Sequence, residues 1–262
     1  WHHHFGRGIV STPGNLGRNG APPSHPDLLS WLAADFVEHG WSLKHLHRRI
    51  LLSTTYRQAS HRPTPEEDRA ISLDPDNVLL WRFHLRRMES EAIRDAVLSV
   101  AGQLDASPGG PPVMLTTPAS GLSMVKPGPA PFSVRRRSVY LLARRVYPLR
   151  FLELFDSPIV PVNCTKRPLS ATVLQSLALL NSQFLTDAAL AMAERVRGEA
   201  GGDVTAQIQL AFRLSLCRDA DAHEIQVCRE FLVAQAQGGG GGASLRDLCQ
   251  MLLCTNEFLY SP

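Results

Sequence analysis

Apolar positions recur every three to four residues through most of the chain and alternate almost nowhere, a pattern that predicts a mostly α-helical protein. The first such set is Leu28, Leu29, Trp31, Leu32, Phe36 and Val37, opened by Ser24 with Asp27 in capping-box register and stopped by Gly40. Ser42 caps the next helix, whose apolar face is Leu43, Leu46 and Ile50, and the short connection folds the two back on each other as an αα-hairpin. A longer helix is expected from Asp76 or Arg86 to Leu104, with Leu85, Met88, Ala92, Ala96 and Val100 along one side. Further helices are expected over 148–155, 170–197, 203–217 and 221–237, the last with an Asp221/Glu224 capping box, and from a Ser244/Asp247 cap through Tyr260.

The rest reads as connection. Residues 5–23 hold Gly6, Gly8, Gly14, Gly17 and Gly20 and fit no regular element. Residues 61–74 are polar and read as an exposed linker, and 238–242 are five consecutive glycines, a flexible insertion. Seven prolines and four glycines interrupt 106–133, a structureless length uncommon inside a compact domain. Residues 135–145, RRRSVYLLARR, are a buried strand or extended segment bracketed by arginines. The expected architecture is an irregular multi-helix domain with long Pro/Gly-rich loops and at most a short extended segment near 138–143. Its parts are 1–105, the loop 106–134, and a helical region 135–262 packed on the first part as one composite domain. No repeat of 20–50 residues marks a solenoid.

Composition narrows the partners. With 44% hydrophobic and 19% charged residues the chain can build a buried core, and a net charge of +3, evenly spread, argues against nucleic acid. No apolar run approaches the ~20 residues that span a bilayer. The chain starts at Trp1 without an initiator Met, which reads as a domain cut from a longer polypeptide in which any targeting signal would lie upstream. Cys164, Cys217, Cys228, Cys249 and Cys254 have neither haem-attachment nor zinc-ribbon spacing; four lie on apolar-periodic helices as small buried hydrophobes, the alternative being a disulfide such as Cys217 with Cys228.

Catalytic motifs are missing: there is no G-x-S-x-G, P-loop, G-x-G-x-x-G or H-E-x-x-H. His2, His3 and His4 are adjacent, so they point in different directions and lack a ligand at i+4, while His45 and His47 lie on different faces of one helix. No bound metal is expected from these spacings. Glu91 and Asp95 form an i, i+4 carboxylate pair near Glu89, for which intrahelical ion pairing with Arg87 and Arg94 is the simpler reading against acid–base chemistry. The best candidate for ligand binding is the glycine-rich loop, with donors Arg7, Asn15, Arg18, Asn19 and His25, together with the helix carrying Arg48, Arg49, Tyr56 and Arg57. Such a set suits an anionic or hydroxyl-rich partner. The competing reading is that the glycines merely thread a connection, with Asn15 and Asn19 satisfying turn backbone.

Read in order, WHHHFGRGIVSTPGNLGRNGAPPSHPDLLSWLAADFVEHGWSLKHLHRRILLSTTYRQAS, DPDNVLLWRFHLRRMESEAIRDAVLSVAGQL, RRSVYLLARR, LQSLALLNSQFL and LCQMLLCTNEFLY resemble the planctomycete-type surface domain of unknown function. The resemblance implies the closing domain of a long exported protein, periplasmic or at the cell surface, following a cytochrome-c-like haem module. It supplies no catalytic residues, and it implies no cofactor in this fragment, any haem belonging to the upstream part. Two functions follow as expectations. One is a non-catalytic helical module binding upstream domains of the same polypeptide or an extracellular ligand such as polysaccharide. The other is part of a hydrolase or oxidoreductase whose active site an upstream domain completes.

Overall fold

A proline at the first helical position and a hydroxyl before the second helix build the hairpin that the periodicity predicts. In the computed structural model, which describes every residue except 62–64, 118–122, 126–133, 145–146, 159–163, 238–243 and 262, the chain divides into two units, Trp1–Arg86 with Ser261–Pro262, and Arg87–Tyr260. Helix accounts for 53% of the described residues, well above the ordinary third.

In the first unit a short helix α1 (His2–Phe5) precedes α2 (Pro26–Glu38) and α3 (Leu43–Leu51). Pro26 opens α2, where its missing N–H costs nothing. The residue before it, His25, is the cap, whereas the expected cap Ser24 donates its hydroxyl to the Ile9 carbonyl at 3.1 Å. Ser42 does cap α3, accepting from the His45 N–H at 3.3 Å. The small core is Phe5, Ile50 and Phe83, with Trp1, Leu46, Tyr56 and Leu80 packed around it.

Two readings need correction here. The polar stretch after His61 contains a helix, α4 (Pro65–Leu73), so it is not linker throughout. The long helix does not begin at Asp76 or Arg86. The Asp74 carboxylate accepts from the Val78 and Leu79 N–H groups, and Asn77 and Leu80 sit at φ 48° and 57°, which a right-handed helix cannot contain. Arg86–Arg87 is extended, and the helix, α5, covers only Ser90–Val100.

The second unit holds α5, α6 (Arg150–Leu154), α7 (Val173–Asn181), α8 (Gln183–Ala200), α9 (Val204–Leu216), α10 (Ala222–Gln237), α11 (Ser244–Leu253) and α12 (Asn256–Leu259). Its core centres on α8 and α11, with Ile93, Leu185, Met192, Val196, Ile208, Leu248 and Leu253 all buried. The helix expected over 170–197 is two, broken at Ser182, whose φ/ψ of −74°/137° leaves the helical region and whose hydroxyl accepts from the Leu185 N–H at 3.4 Å. Thr255 likewise separates α11 from α12 by accepting from the Phe258 N–H at 3.2 Å. The only hairpin of strands in this unit among the described residues is β1 (Leu115–Thr116) with β2 (Met124–Val125), antiparallel, Leu115 opposite Val125. Within 135–145, Ser138–Tyr140 form a 3-10 turn between single bridging residues Arg136 and Leu141. Its buried residues are not apolar: Arg136 is inaccessible and Ser138 is buried, while Val139 is 71% exposed. All five cysteines are free, so Cys217 and Cys228 form no disulfide. The five-glycine stretch lies outside the described residues.

The Asp221/Glu224 capping box forms as expected, with N–H to carboxylate distances of 2.8 Å both ways. Arg218 adds a fork onto Glu224 and a second contact to Glu257, tying the start of α10 to α12. The Arg218 hydrogen bonds hold the Glu224 carboxyl at a pKa of about 2, from an ordinary 4.5. A folded-state pKa below the unfolded one adds stability that is complete above pH 4.5 and lost as pH falls toward 2. Glu224→Gln is therefore expected to flatten the decline in urea midpoint between pH 4.5 and 2 relative to wild type. An unchanged profile would show that the pair, largely exposed, is screened to insignificance.

Candidate functional site

The first unit brings charge together where the hairpin turns. Asp35, on the last full turn of α2, and His39, which ends that helix, stand at i, i+4 and so share a face; His45 and Arg49 do the same on α3. The connection between the helices lays one pair against the other. Asp35 Oδ2 meets His45 Nε2 at 2.9 Å, and Oδ1 lies 3.3 Å from the Arg49 guanidinium and 3.5 Å from His39 Nδ1. The two imidazoles stack, centroids 3.8 Å apart and planes 10° from parallel. Asp35 is only 6% exposed, yet it is the one buried residue of α2. Burial works to raise its pKa, and the hydrogen bonds from His45 and Arg49 outweigh burial, so the carboxyl stays below its usual range.

The apolar stripe of α2, by contrast, is uncovered: Trp31 is 51% and Val37 53% exposed. Between α2 and α3 opens a groove of about 570 Å³ walled by Leu28, Trp31 and Leu32 on one side and Arg48, Arg49 and Leu52 on the other, with Ser53 and Thr55 at its end. The Arg49 guanidinium lies over the Trp31 ring, 5.6 Å from its centroid.

Of the residues singled out from sequence, Arg48 and Arg49 line this groove and the others do not. Tyr56 packs edge-on against Phe5 and Phe83 in the core. The glycine-rich loop closes on itself. Thr12 Oγ1 donates to the Asn15 carbonyl at 2.9 Å, and Asn15 Nδ2 donates to the Asn19 carbonyl at 3.1 Å. A Cβ on Gly20 would stand 2.1 Å from the Asn15 oxygen, so the turn requires glycine. The Asn15 side chain thus does turn work, to which Asn19 contributes its backbone carbonyl. His25 shares a hydrogen bond with Ser24 at 2.9 Å, Arg18 and Arg57 are exposed, and Arg7 is half-buried. The turn cluster Asp35–His39–His45 escaped the sequence reading, although D-x3-H on one helix face followed by His at the start of the next was legible.

In the second unit Asp95 keeps the intrahelical pairing expected, 3.6 Å from Arg94, whereas Glu89 and Glu91 take a tertiary partner. Glu91 pairs with Arg167 at 2.6 Å and Glu89 with the same arginine at 3.2 Å. Arg87 is committed to Asp156, and Arg94 donates to the carbonyls of Val134 and Arg136. Tertiary partners win because both arginines are buried, where an unsatisfied guanidinium costs far more than a surface pair returns. A mixed-charge cleft of about 580 Å³ lies beside this helix, bounded by Glu89, Glu91 and Asp95 and by Arg137, Arg144 and Arg167.

The family model described as "Protein of unknown function (DUF1553)" matches residues 1–232. No curated protein and no solved structure matches the chain.

Proposed function

We propose a function for a chain that belongs to the PSD1 family, known only as proteins of unknown function, and rest it on the hairpin groove: a non-catalytic module that binds an anionic extracellular polysaccharide. The observation that carries this reading is Trp31, half exposed on a groove wall beneath Arg49 and facing Arg48. An exposed indole offers a flat apolar face to the C–H face of a pyranose, and its ring electrons hold the guanidinium above it. Guanidinium forks match the carboxylate or sulfate groups of an acidic sugar two bonds at a time. Ser53 and Thr55 add hydroxyls that can bond to sugar hydroxyls. An uncovered apolar strip with a cationic rim is what a recognition surface presents before its partner arrives.

The order of motifs, resembling the closing domain of long exported proteins, supports the same reading: an extracellular or periplasmic location, and upstream domains, one of them a cytochrome-c-like module, in the same polypeptide. No helix of the described residues is long and apolar enough to cross a membrane. The enzyme reading draws no support from the groove, where Arg48 is present, His25 is not, and His45 is held by Asp35.

Affinity electrophoresis through gels cast with polygalacturonate, and with neutral dextran as control, tests the proposal. The wild type should be retarded by the acidic polymer alone. Trp31→Ala and Arg48→Ala should each weaken binding about tenfold, the loss of one good contact of roughly 1.4 kcal/mol. Arg18→Ala should behave as wild type. Equal retardation of wild type and Trp31→Ala would overturn the groove as the site.

A further inference from the structure

We propose that Asp35, His39 and His45 form a binding site for a divalent metal ion of the borderline class, Zn²⁺ foremost. The inference goes against the expectation, from sequence spacing, of no metal, and it does not depend on the groove reading.

One ligand atom from each residue, a carboxylate oxygen and two imidazole nitrogens, lies within 4.8 Å of the others. The carboxylate stands 2.9 Å from His45 Nε2 through Oδ2 and 3.5 Å from His39 Nδ1 through Oδ1, close to the ligand spacing of a tetrahedral zinc shell. There, bonds of about 2.0–2.2 Å place neighbouring ligands about 3.3–3.5 Å apart. Two nitrogens and one oxygen suit zinc; calcium and magnesium call for all-oxygen shells of six or more ligands. The carboxylate is buried and already aimed by its neighbours, so it needs little ordering of its own. His45 is half-buried and His39 is 40% exposed, which leaves one side of the site open to water as a fourth ligand. The cluster also sits at the C-terminal end of α2, where the helix favours positive charge.

What occupies the position in this structure is a cation of another kind. Arg49 reaches Asp35 Oδ1 at 3.3 Å, but its side chain is half exposed and also lies over Trp31, so it can withdraw along the groove. His39 Nδ1 lies 2.8 Å from the Asp35 carbonyl oxygen, a hydrogen bond in which that nitrogen must carry the proton. Metal binding displaces this proton and turns the exposed His39 ring out of its stack on His45, since two parallel rings cannot both direct a lone pair at one ion.

The test must separate this site from chance binding by other histidines, such as His4 and His47, which stand 2.7 Å apart. With the full chain, calorimetric titration with Zn²⁺ should show one site. Co²⁺ should bind there with the visible absorption of a four-coordinate nitrogen–oxygen complex. Asp35→Asn, His39→Ala and His45→Ala should each weaken Zn²⁺ binding more than about tenfold. Arg49→Ala, which removes the competing cation, should bind Zn²⁺ at least as tightly as wild type, and His4→Ala should be unchanged. Because His39 is exposed and outside the core, its variant carries the test even where Asp35→Asn fails to fold. Binding that survives His39→Ala, binding abolished by His4→Ala, or no binding at all would each overturn the proposal.

Discussion

Replacing Asp156 with alanine is expected to destabilise the second unit by about 3–5 kcal/mol, the scale of removing one partner from a buried ion pair. Its partner Arg87 has a side chain only 4% exposed. The guanidinium donates to Asp156 Oδ2 at 2.7 Å, to the Phe155 carbonyl at 3.1 Å and to the Ser170 carbonyl at 2.6 Å, with the Phe155 ring beside it. Two carbonyls satisfy hydrogen bonds but do not neutralise the charge, so the variant buries an uncompensated cation. The same carboxylate accepts from the Ser170 N–H at 2.8 Å and from its hydroxyl, fixing the segment that leads into α7. Burial raises the Asp156 pKa, but the Ser170 and Arg87 hydrogen bonds more than reverse this, leaving it below the ordinary 3.8. Its contribution is therefore complete above about pH 3.8 and lost as pH falls through the folded-state value. Urea unfolding followed by far-ultraviolet ellipticity measures the effect. All four tryptophans (Trp1, Trp31, Trp41 and Trp81) lie in the first unit, so their fluorescence reports on that unit separately. A loss below about 1 kcal/mol would mean that water reaches Arg87 once the carboxylate is gone.

The helices were legible because burial imposes a 3.6-residue period, and the caps Ser42 and Asp221 were legible because a polar side chain at that place has a local job. What the period cannot show is a break that preserves it. Leu177, Leu180 and Phe184 stay in register across Ser182, where the chain leaves the helix for a single residue. Leu85 and Met88 continue the stripe of α5 backwards into extended backbone, where the Met88 N–H donates to the Leu259 carbonyl at 2.8 Å. Nor does the period show which face is covered. The stripe of α2 reads as core, yet Trp31 and Val37 face outward and Asp35 faces inward. Within RRRSVYLLARR nothing local distinguishes Arg136 from its neighbours. It is buried because the carbonyls of Ser107, Gly109 and Pro111, contributed by the Pro/Gly-rich loop, converge on it. The candidate site was half legible for the same reason: Arg48 and Arg49 stand on a helix whose exposed side the sequence marks. The Asp35–His39–His45 cluster needs the hairpin closed before its members meet.

Truncating Leu248 to alanine is expected to cost about 3–5 kcal/mol, because the side chain sits where α8 and α11 pack and has no solvent access. The loss has two parts, the transfer free energy of the missing carbons and the cavity they leave. It belongs to one buried cluster with Leu185, Met192, Val196 and Leu252, all nearly or wholly buried, and helices packed together in one core cannot collapse inward. The neighbouring Cys249 belongs to the same interior: it is inaccessible, and burial pushes its thiol pKa up to about 12, so it should stay unreactive until the core opens. Met251, on the same helix but 44% exposed, supplies the control, and Met251→Ala should change stability by no more than about 0.5–1 kcal/mol. Unfolding of Leu248→Ala should expose Cys249 to Ellman's reagent at a lower urea concentration than in wild type, in step with the ellipticity. Cys249 reacting in native Leu248→Ala while ellipticity is unchanged would show that α11 detaches from α8 without global unfolding, and that the second unit is not held as one core.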